Sequence, residues 1–268
     1  MVVCTLIALH QVHPELPLIV AANRDELYAR RSSPPRVLSE SPLIVGGRDE
    51  EKGGTWLGLS QHGYFVGITN QRSFAPPDPR ARSRGEVVLT ALAQPSLRAA
   101  VDWLERLDGS AYNAFNLLLG DPRQLFVAYA RKESPRIEVS ELAPGIWTLP
   151  NDRLGSLEFP KIDRARELAL PLATLPLPSL IPAAQAMLAD HTLPARLPEG
   201  NAPPWLPSEM LAQLQALCVH TPAYGTRSAS LLAFSPAGLV RYLHADGPPC
   251  VTPLVDQPAL VTRLAAAT

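Results

Sequence analysis

Lysine is nearly missing from this 268-residue sequence: Lys52, Lys132 and Lys161 are the only lysines among its 24 cationic residues. The arginine excess reads as codon bias without functional content. Charge of one sign is also lacking, with 24 basic residues against 25 acidic ones. No long-range field therefore draws nucleic acid or an anionic membrane to the chain. Cysteine is scarce, and the spacing of Cys4, Cys218 and Cys250 writes neither a disulfide framework nor a CxxC zinc site. The six histidines, His10, His13, His62, His191, His220 and His244, show no HxxxH or HExxH spacing, so no metal site is expected. The apolar start from Met1 to Leu9 is too short for a membrane span, has no basic flank, and soon meets His10 and Glu15. Secreted, membrane and lipoprotein readings fail on that ground, and a reducing cytoplasm is the expected compartment. What is abundant is apolar residue, 46% against 18% charged, together with 29 prolines, about twice the usual share. A sizeable core is affordable, and 29.0 kDa fits one large domain spanning residues 1–268.

Short apolar runs separated by turn residues predict strands at Val3 to Leu9, Leu16 to Ala22, Thr55 to Ser60 and Tyr64 to Thr69, four before any helix. His10 and His13 fall on an exposed hairpin. Gly46-Gly47 and Gly53-Gly54 bracket an acidic segment and suit turns with positive φ better than a phosphate cradle, since no helix-forming run follows. Helical spacing marks Gly85 to Ala93 and Ser96 to Leu107, the latter with Ser96 as N-cap. Strands follow at Phe115 to Leu119, Leu125 to Tyr129, Ile137 to Ser140 and Ile146 to Leu149. Helices come next at Lys161 to Leu170, Leu180 to Leu188 with Pro182 in its first turn, and Ser208 to Leu217. Residues 171–207 are dense in proline and read as a surface excursion or lid. A hairpin, Ser228 to Phe234 and Leu239 to His244, closes the order. Segregated strands and helices predict an α+β fold with antiparallel sheets, and no GxGxxG motif supports a Rossmann alternative.

Two accounts of Cys4 are open. It is either a buried strand cysteine or a nucleophile whose base is its own α-amino group, an amine that titrates near enough to neutrality to take the thiol proton. Asn23-Arg24-Asp25-Glu26 follows the strand predicted to pair with that of Cys4. Composition alone makes it a solvated turn. Its position also lets Asp25 hold an ammonium and Arg24 favour a thiolate. Asp49, Glu50 and Glu51 read as a solvated turn. Trp56, Trp103, Trp147 and Trp205 read as core or lid packing, and Cys218 and Cys250 as small buried hydrophobes.

Asn23-Arg24-Asp25-Glu26 spells the name-giving motif of the NRDE family, also called the transport and Golgi organisation protein 2 family. The resemblance extends through Gly47-Arg48-Asp49, Gly53-Gly54-Thr55-Trp56-Leu57-Gly58, Thr69-Asn70, Ser83-Arg84-Gly85-Glu86, Phe115-Asn116-Leu117, Gly120-Asp121 and Tyr224-Gly225-Thr226-Arg227-Ser228. It implies an N-terminal-nucleophile hydrolase type of fold, an αββα sandwich. The sequence more weakly resembles the choloylglycine hydrolase and acyltransferase branch. By that similarity Cys4 is the nucleophile, Asp25 positions its amine, Asn70 and Asn151 contact an oxyanion, and Arg227 is a site cation. Strand-end turn chemistry is the competing account of both asparagines, and Pro150 stands where relatives usually have serine. Asn23, Arg24, Glu26, Trp56 and Arg72 are taken as ligand-binding.

Family members commonly begin Met-Cys, whereas Val2 and Val3 intervene here. A Cys4 amine therefore needs a different start or cleavage of the Val3-Cys4 bond, and otherwise this chemistry is absent. The resemblance thus implies one of two functions. One is a cysteine hydrolase or acyltransferase acting on an amide or thioester without a cofactor. The other is a carrier of haem or an acylated ligand, since relatives are linked to haem trafficking and to secretory and lipid homeostasis. A structural secretion factor has little basis in the residues. The expected partner is a small molecule, with no nucleic acid and no membrane span, and the oligomeric state is open.

Overall fold

A computed structural model describes residues 4–73, 76–197 and 206–267. In chain order it contains strands β1 (Thr5–His10), β2 (Leu18–Leu27), β3 (Ser32–Glu40), β4 (Leu43–Asp49), β5 (Leu57–Ser60) and β6 (Phe65–Asn70), then helices α1 (Arg84–Leu92) and α2 (Leu97–Arg106). Strands β7 (Phe115–Gly120), β8 (Leu125–Ala130), β9 (Glu138–Glu141) and β10 (Gly145–Leu149) precede helices α3 (Lys161–Ala169), α4 (Leu177–Leu188) and α5 (Ser208–Gln213). Strands β11 (Tyr224–Ser235), β12 (Gly238–Ala245) and β13 (Val255–Asp256) and helix α6 (Pro258–Ala267) complete the order.

The strands form two antiparallel sheets, ordered β10-β1-β2-β11-β12-β13 and β3-β4-β5-β6-β7-β8-β9. Side chains alternate across a strand, which sorts the apolar residues of β1 and β2 to two faces. Leu6, Ala8, Val20 and Ala22 meet Leu57, Phe65 and Leu118 between the sheets. Ile7, Leu9, Ile19 and Ala21 face outward onto Ala165 of α3 and onto Leu180, Ala184 and Leu188 of α4. Helices α1 and α2 cover the other sheet through Val87, Val88, Ala100 and Leu104. The result is the expected α+β sandwich of four layers, helices outside and sheets inside.

Several local expectations change. β2 does not stop at Ala22: Asn23 to Glu26 are strand residues, buried and paired with β11 from Ala229↔Asn23 to Gly225↔Glu26. Six strands, not four, precede the first helix, because β3 tolerates Pro34 and Pro35 at a sheet edge, where missing donors leave no ladder partner waiting. Gly46 and Gly47 lie inside β4, and only Gly53 has the left-handed φ expected of a turn, at 70°. A Cβ on Gly47 would meet the Trp56 ring at 2.3 Å, so close packing is what requires that glycine. Gly54 and Gly85 pack backbone on backbone, a Cβ on Gly54 meeting Gly85 Cα at 2.6 Å. His10 and His13 are buried, and His13 accepts from the amides of Glu15 and Leu16 through Nδ1 while Nε2 donates to Leu175 O. Helix α4 starts a turn early with Pro178 near its beginning, leaving Pro182 inside it, and it packs as an outer layer within the expected excursion. Helix α5 ends at Gln213, short of the expected Leu217. Trp205 and Met1 to Val3 lie outside the described residues, as does the stretch 198–205 of the proline-rich segment.

Candidate active site

Pairing of Thr5 with Asn23 places Cys4 beside the polar end of β2. Cys4 is buried, and its thiol points at Asp25 O, with Sγ and oxygen 3.7 Å apart. Asp25 is fully buried, and its Oδ1 accepts from the Thr226 hydroxyl at 2.6 Å, a contact set by the Thr226↔Asp25 pairing of β11 with β2. Lys161, the first residue of α3, is the fourth buried member of this group; its Nζ has no hydrogen-bond partner among the described residues.

The electrostatics follow from burial. Desolvation first and the Asp25 carboxylate second push the Cys4 thiol up to about 12, the hydrogen bond to Asp25 O and the charge of Arg24 offsetting only part. Arg24 acts towards the thiolate, as expected of it, but burial outweighs it. Burial lifts the Asp25 carboxyl to about 7, against the opposing pull of Lys161, Thr226 and Arg24. The Lys161 ammonium is pushed below its usual range by burial, and Asp25 and Cys4 act to keep its charge.

A cavity of about 310 Å³ opens on Cys4, lined also by Arg24, Asp25, Glu26, Trp56 and Asn70. A neighbouring cavity of about 440 Å³ shares Asn70, Arg84 and Asn113 with it and is lined further by Arg72 and Arg131. Arg24 lies over Trp56, its guanidinium carbon 4.4 Å from the ring centroid, and pairs loosely with Glu26 at 3.9 Å. Arg30 binds Asp49 at 2.5 Å, so Asp49 is an ion-paired cavity wall and not part of a solvated turn. Arg84 forms no ion pair among the described residues and donates weakly to Ala114 O at 3.4 Å.

Asn151 is tied to Asn70, donating from Nδ2 to Asn70 O at 2.7 Å. Thr69 and Asn116 hold this junction, since the Thr69 hydroxyl and Asn116 Nδ2 both donate to Pro150 O, at 2.7 and 3.3 Å. Asn151 is buried and lines neither cavity. Two further residues stand apart. Asn23 donates to Leu188 O and Leu217 O, tying β2 to the helical layer. Arg227 falls where the β2–β11 register shifts; its guanidinium lies over Tyr28, 5.8 Å from the ring centroid, and bonds Tyr28 O. Neither Asn23 nor Arg227 lines either of these two cavities.

Lys161 and Thr226 are the residues that sequence reasoning missed. Lys161, one of only three lysines in so arginine-rich a chain, was a signal. Thr226 stood in a quoted motif, overshadowed by its charged neighbour. Of the two cysteines expected as small buried hydrophobes, Cys218 is buried but Cys250 is only partly so, and their sulfurs are 3.8 Å apart.

The model of the Transport and Golgi organisation 2 family matches residues 3–246. The homologue of transport and Golgi organization protein 2 from Bos taurus is 30% identical over 245 residues, covering 84% of each chain, and the one from Homo sapiens is 29% identical with the same coverage. Among solved structures, a mutant conjugated bile acid hydrolase from Clostridium perfringens superposes with a TM-score of 0.56 at 12% identity, covering 96% of this chain and 93% of that one. A Caenorhabditis elegans orthologue of N-acylethanolamine-hydrolyzing acid amidase gives 0.51 at 14% identity, covering 85% and 92%. These two likenesses establish an N-terminal-nucleophile hydrolase-like fold and no more. With nine-tenths of its length matched by a single family model, the chain belongs to the Transport and Golgi organisation 2 family.

Proposed function

We propose that the protein is a cysteine hydrolase or acyltransferase of the N-terminal-nucleophile type, acting on an amide or thioester. The observation that carries this is the convergence of Cys4, Asp25 and Asn70 on one cavity. In the proposed cycle a free Cys4 α-amine takes the thiol proton as sulfur attacks the carbonyl carbon. The carbon–nitrogen or carbon–sulfur bond then breaks, and the leaving group takes that proton. Water, deprotonated by the same amine, releases the acyl group from Cys4. Asn70 stabilises the oxyanion, with Asn151 bracing it through Asn70 O, and Asp25, bonded by Thr226 and in the field of Lys161, orients the amine. Arg84, half-buried in the cavity wall and without an ion-pair partner among the described residues, suits an anionic group on the substrate.

The mechanism requires an open Val3-Cys4 bond. While Val3 is attached, the nitrogen is an amide and a thiol near 12 stays protonated at neutral pH. A free ammonium beside the sulfur would lower it.

The test compares protein beginning at Cys4, lighter by about 330 Da, with protein retaining Val3. The Cys4-terminal form is expected to acquire an acyl adduct on Cys4 from simple N-acyl amides or acyl thioesters, and Cys4→Ala to lose it. Asn70→Ala should slow acylation by about 10²-fold to 10³-fold. Absence of any adduct across both substrate classes would remove the proposal.

The inert thiol of the uncleaved chain favours a second reading, carriage of an acylated ligand without turnover. Haem in either cavity would take Cys4 or Tyr112 as its axial ligand, since no histidine or methionine lines them among the described residues. A Soret titration compared between the native protein and Cys4→Ala checks it.

A further inference from the structure

On the surface of the helical layer, away from both cavities, four side chains from distant parts of the chain converge. His191 follows α4, Cys218 and His220 precede β11, and Cys250 lies beyond β12. One ligand atom from each lies within 4.8 Å of the others. Cys218 Sγ and Cys250 Sγ are 3.8 Å apart, and His220 Nε2 is 3.7 Å from the first sulfur and 3.3 Å from the second. Bond lengths to zinc of about 2.3 Å for sulfur and about 2.0 Å for nitrogen give tetrahedral edges of about 3.8 Å between sulfurs and about 3.5 Å between sulfur and nitrogen. The three edges among Cys218, His220 and Cys250 lie within about 0.2 Å of those values, and the ligand atom of His191 falls within 4.8 Å of each.

From this geometry we infer that His191, Cys218, His220 and Cys250 form a zinc site. The donor set agrees, since two thiolates and two imidazoles suit tetrahedral Zn²⁺ better than a hard oxygen-seeking cation. His191 is already oriented for it: Nδ1–H donates to Cys218 O at 3.0 Å, leaving the Nε2 lone pair for the metal. Cys218 is the buried floor, while His191 and His220 are exposed, so an ion reaches the site from solvent. On binding, both thiols lose their protons to solvent as two Zn–S bonds form. Four protein ligands close the coordination sphere, which makes the role structural: the ion staples the end of α4 and the turn after β12 to the segment entering β11. No sequence spacing announced it, because only Cys218 and His220 are near neighbours in the chain.

The test is metal content and cobalt spectroscopy on the full chain, purified under reducing conditions. One zinc per chain is expected. Replacement by Co²⁺ should give the strong visible bands of tetrahedral cobalt and thiolate-to-cobalt charge transfer of two-sulfur intensity. Cys250→Ser and His220→Gln should weaken zinc retention at least about tenfold, and Cys4→Ala should leave it unchanged. Should a variant fail to fold, the wild-type cobalt spectrum still decides through its thiolate count. Reduced protein that retains no zinc or cobalt, metal lost with Cys4, or a Cys218–Cys250 disulfide in place of metal would each overturn the assignment. None of these readouts depends on turnover at Cys4.

Discussion

Asp25 is the residue on which charge and burial bear most heavily. Its carboxyl titrates near 7 in the fold and near 4 in an unfolded chain, so the folded state binds more protons between those values. Its contribution is therefore most favourable below about pH 4 and is lost as pH rises to about 7. Relative to the native protein, Asp25→Asn should gain stability over that window, read as a difference in unfolding free energy measured at both ends. A flat difference would show that Asp25 does not titrate there. Removing the Lys161 charge with Lys161→Met should move the Asp25 titration upward, observable by carboxyl NMR, because its principal attracting charge is gone. The sequence made Cys4, Asp25 and Asn70 legible as candidates because motif and position agreed. It could not reveal the pressure on their ionisation, since desolvation belongs to the folded surroundings and not to residue type.

Elements were legible where local signals were strong. Ser96 caps α2 as expected, accepting from Ala99 N at 3.1 Å, and Ser96→Ala should cost about 1 kcal/mol in chemical denaturation. Elements were missed where tertiary pairing overrides local preference. β3 carries two prolines, β4 two glycines, and the polar end of β2 becomes strand because β11 satisfies its backbone. The Gly54–Gly85 contact belongs to this scale as well, since it seats the start of α1 against the turn before β5 and fixes where Arg84 begins the helix. Gly85→Ala should destabilise by about 1–3 kcal/mol, the usual cost of forcing atoms into a packed contact, and an unchanged denaturation midpoint would refute that seating.

For the molecule as a whole, near-neutral net charge outweighs the local cluster of arginines around the cavities. At about 0.1 M salt the protein should pass through immobilised DNA unretained, because opposite charges inside one Debye length cancel at a distance. Salt-dependent retention would contradict this. The order of the first sheet has a further consequence. β1 and β2, made first, sit between β10 and β11, and β11 brings Thr226 to Asp25. During synthesis β1 and β2 must wait for about two hundred further residues before Thr226 can bond Asp25. A nascent or truncated chain ending before Tyr224 thus has the cavity-lining residues but an Asp25 whose carboxylate lacks its hydroxyl partner.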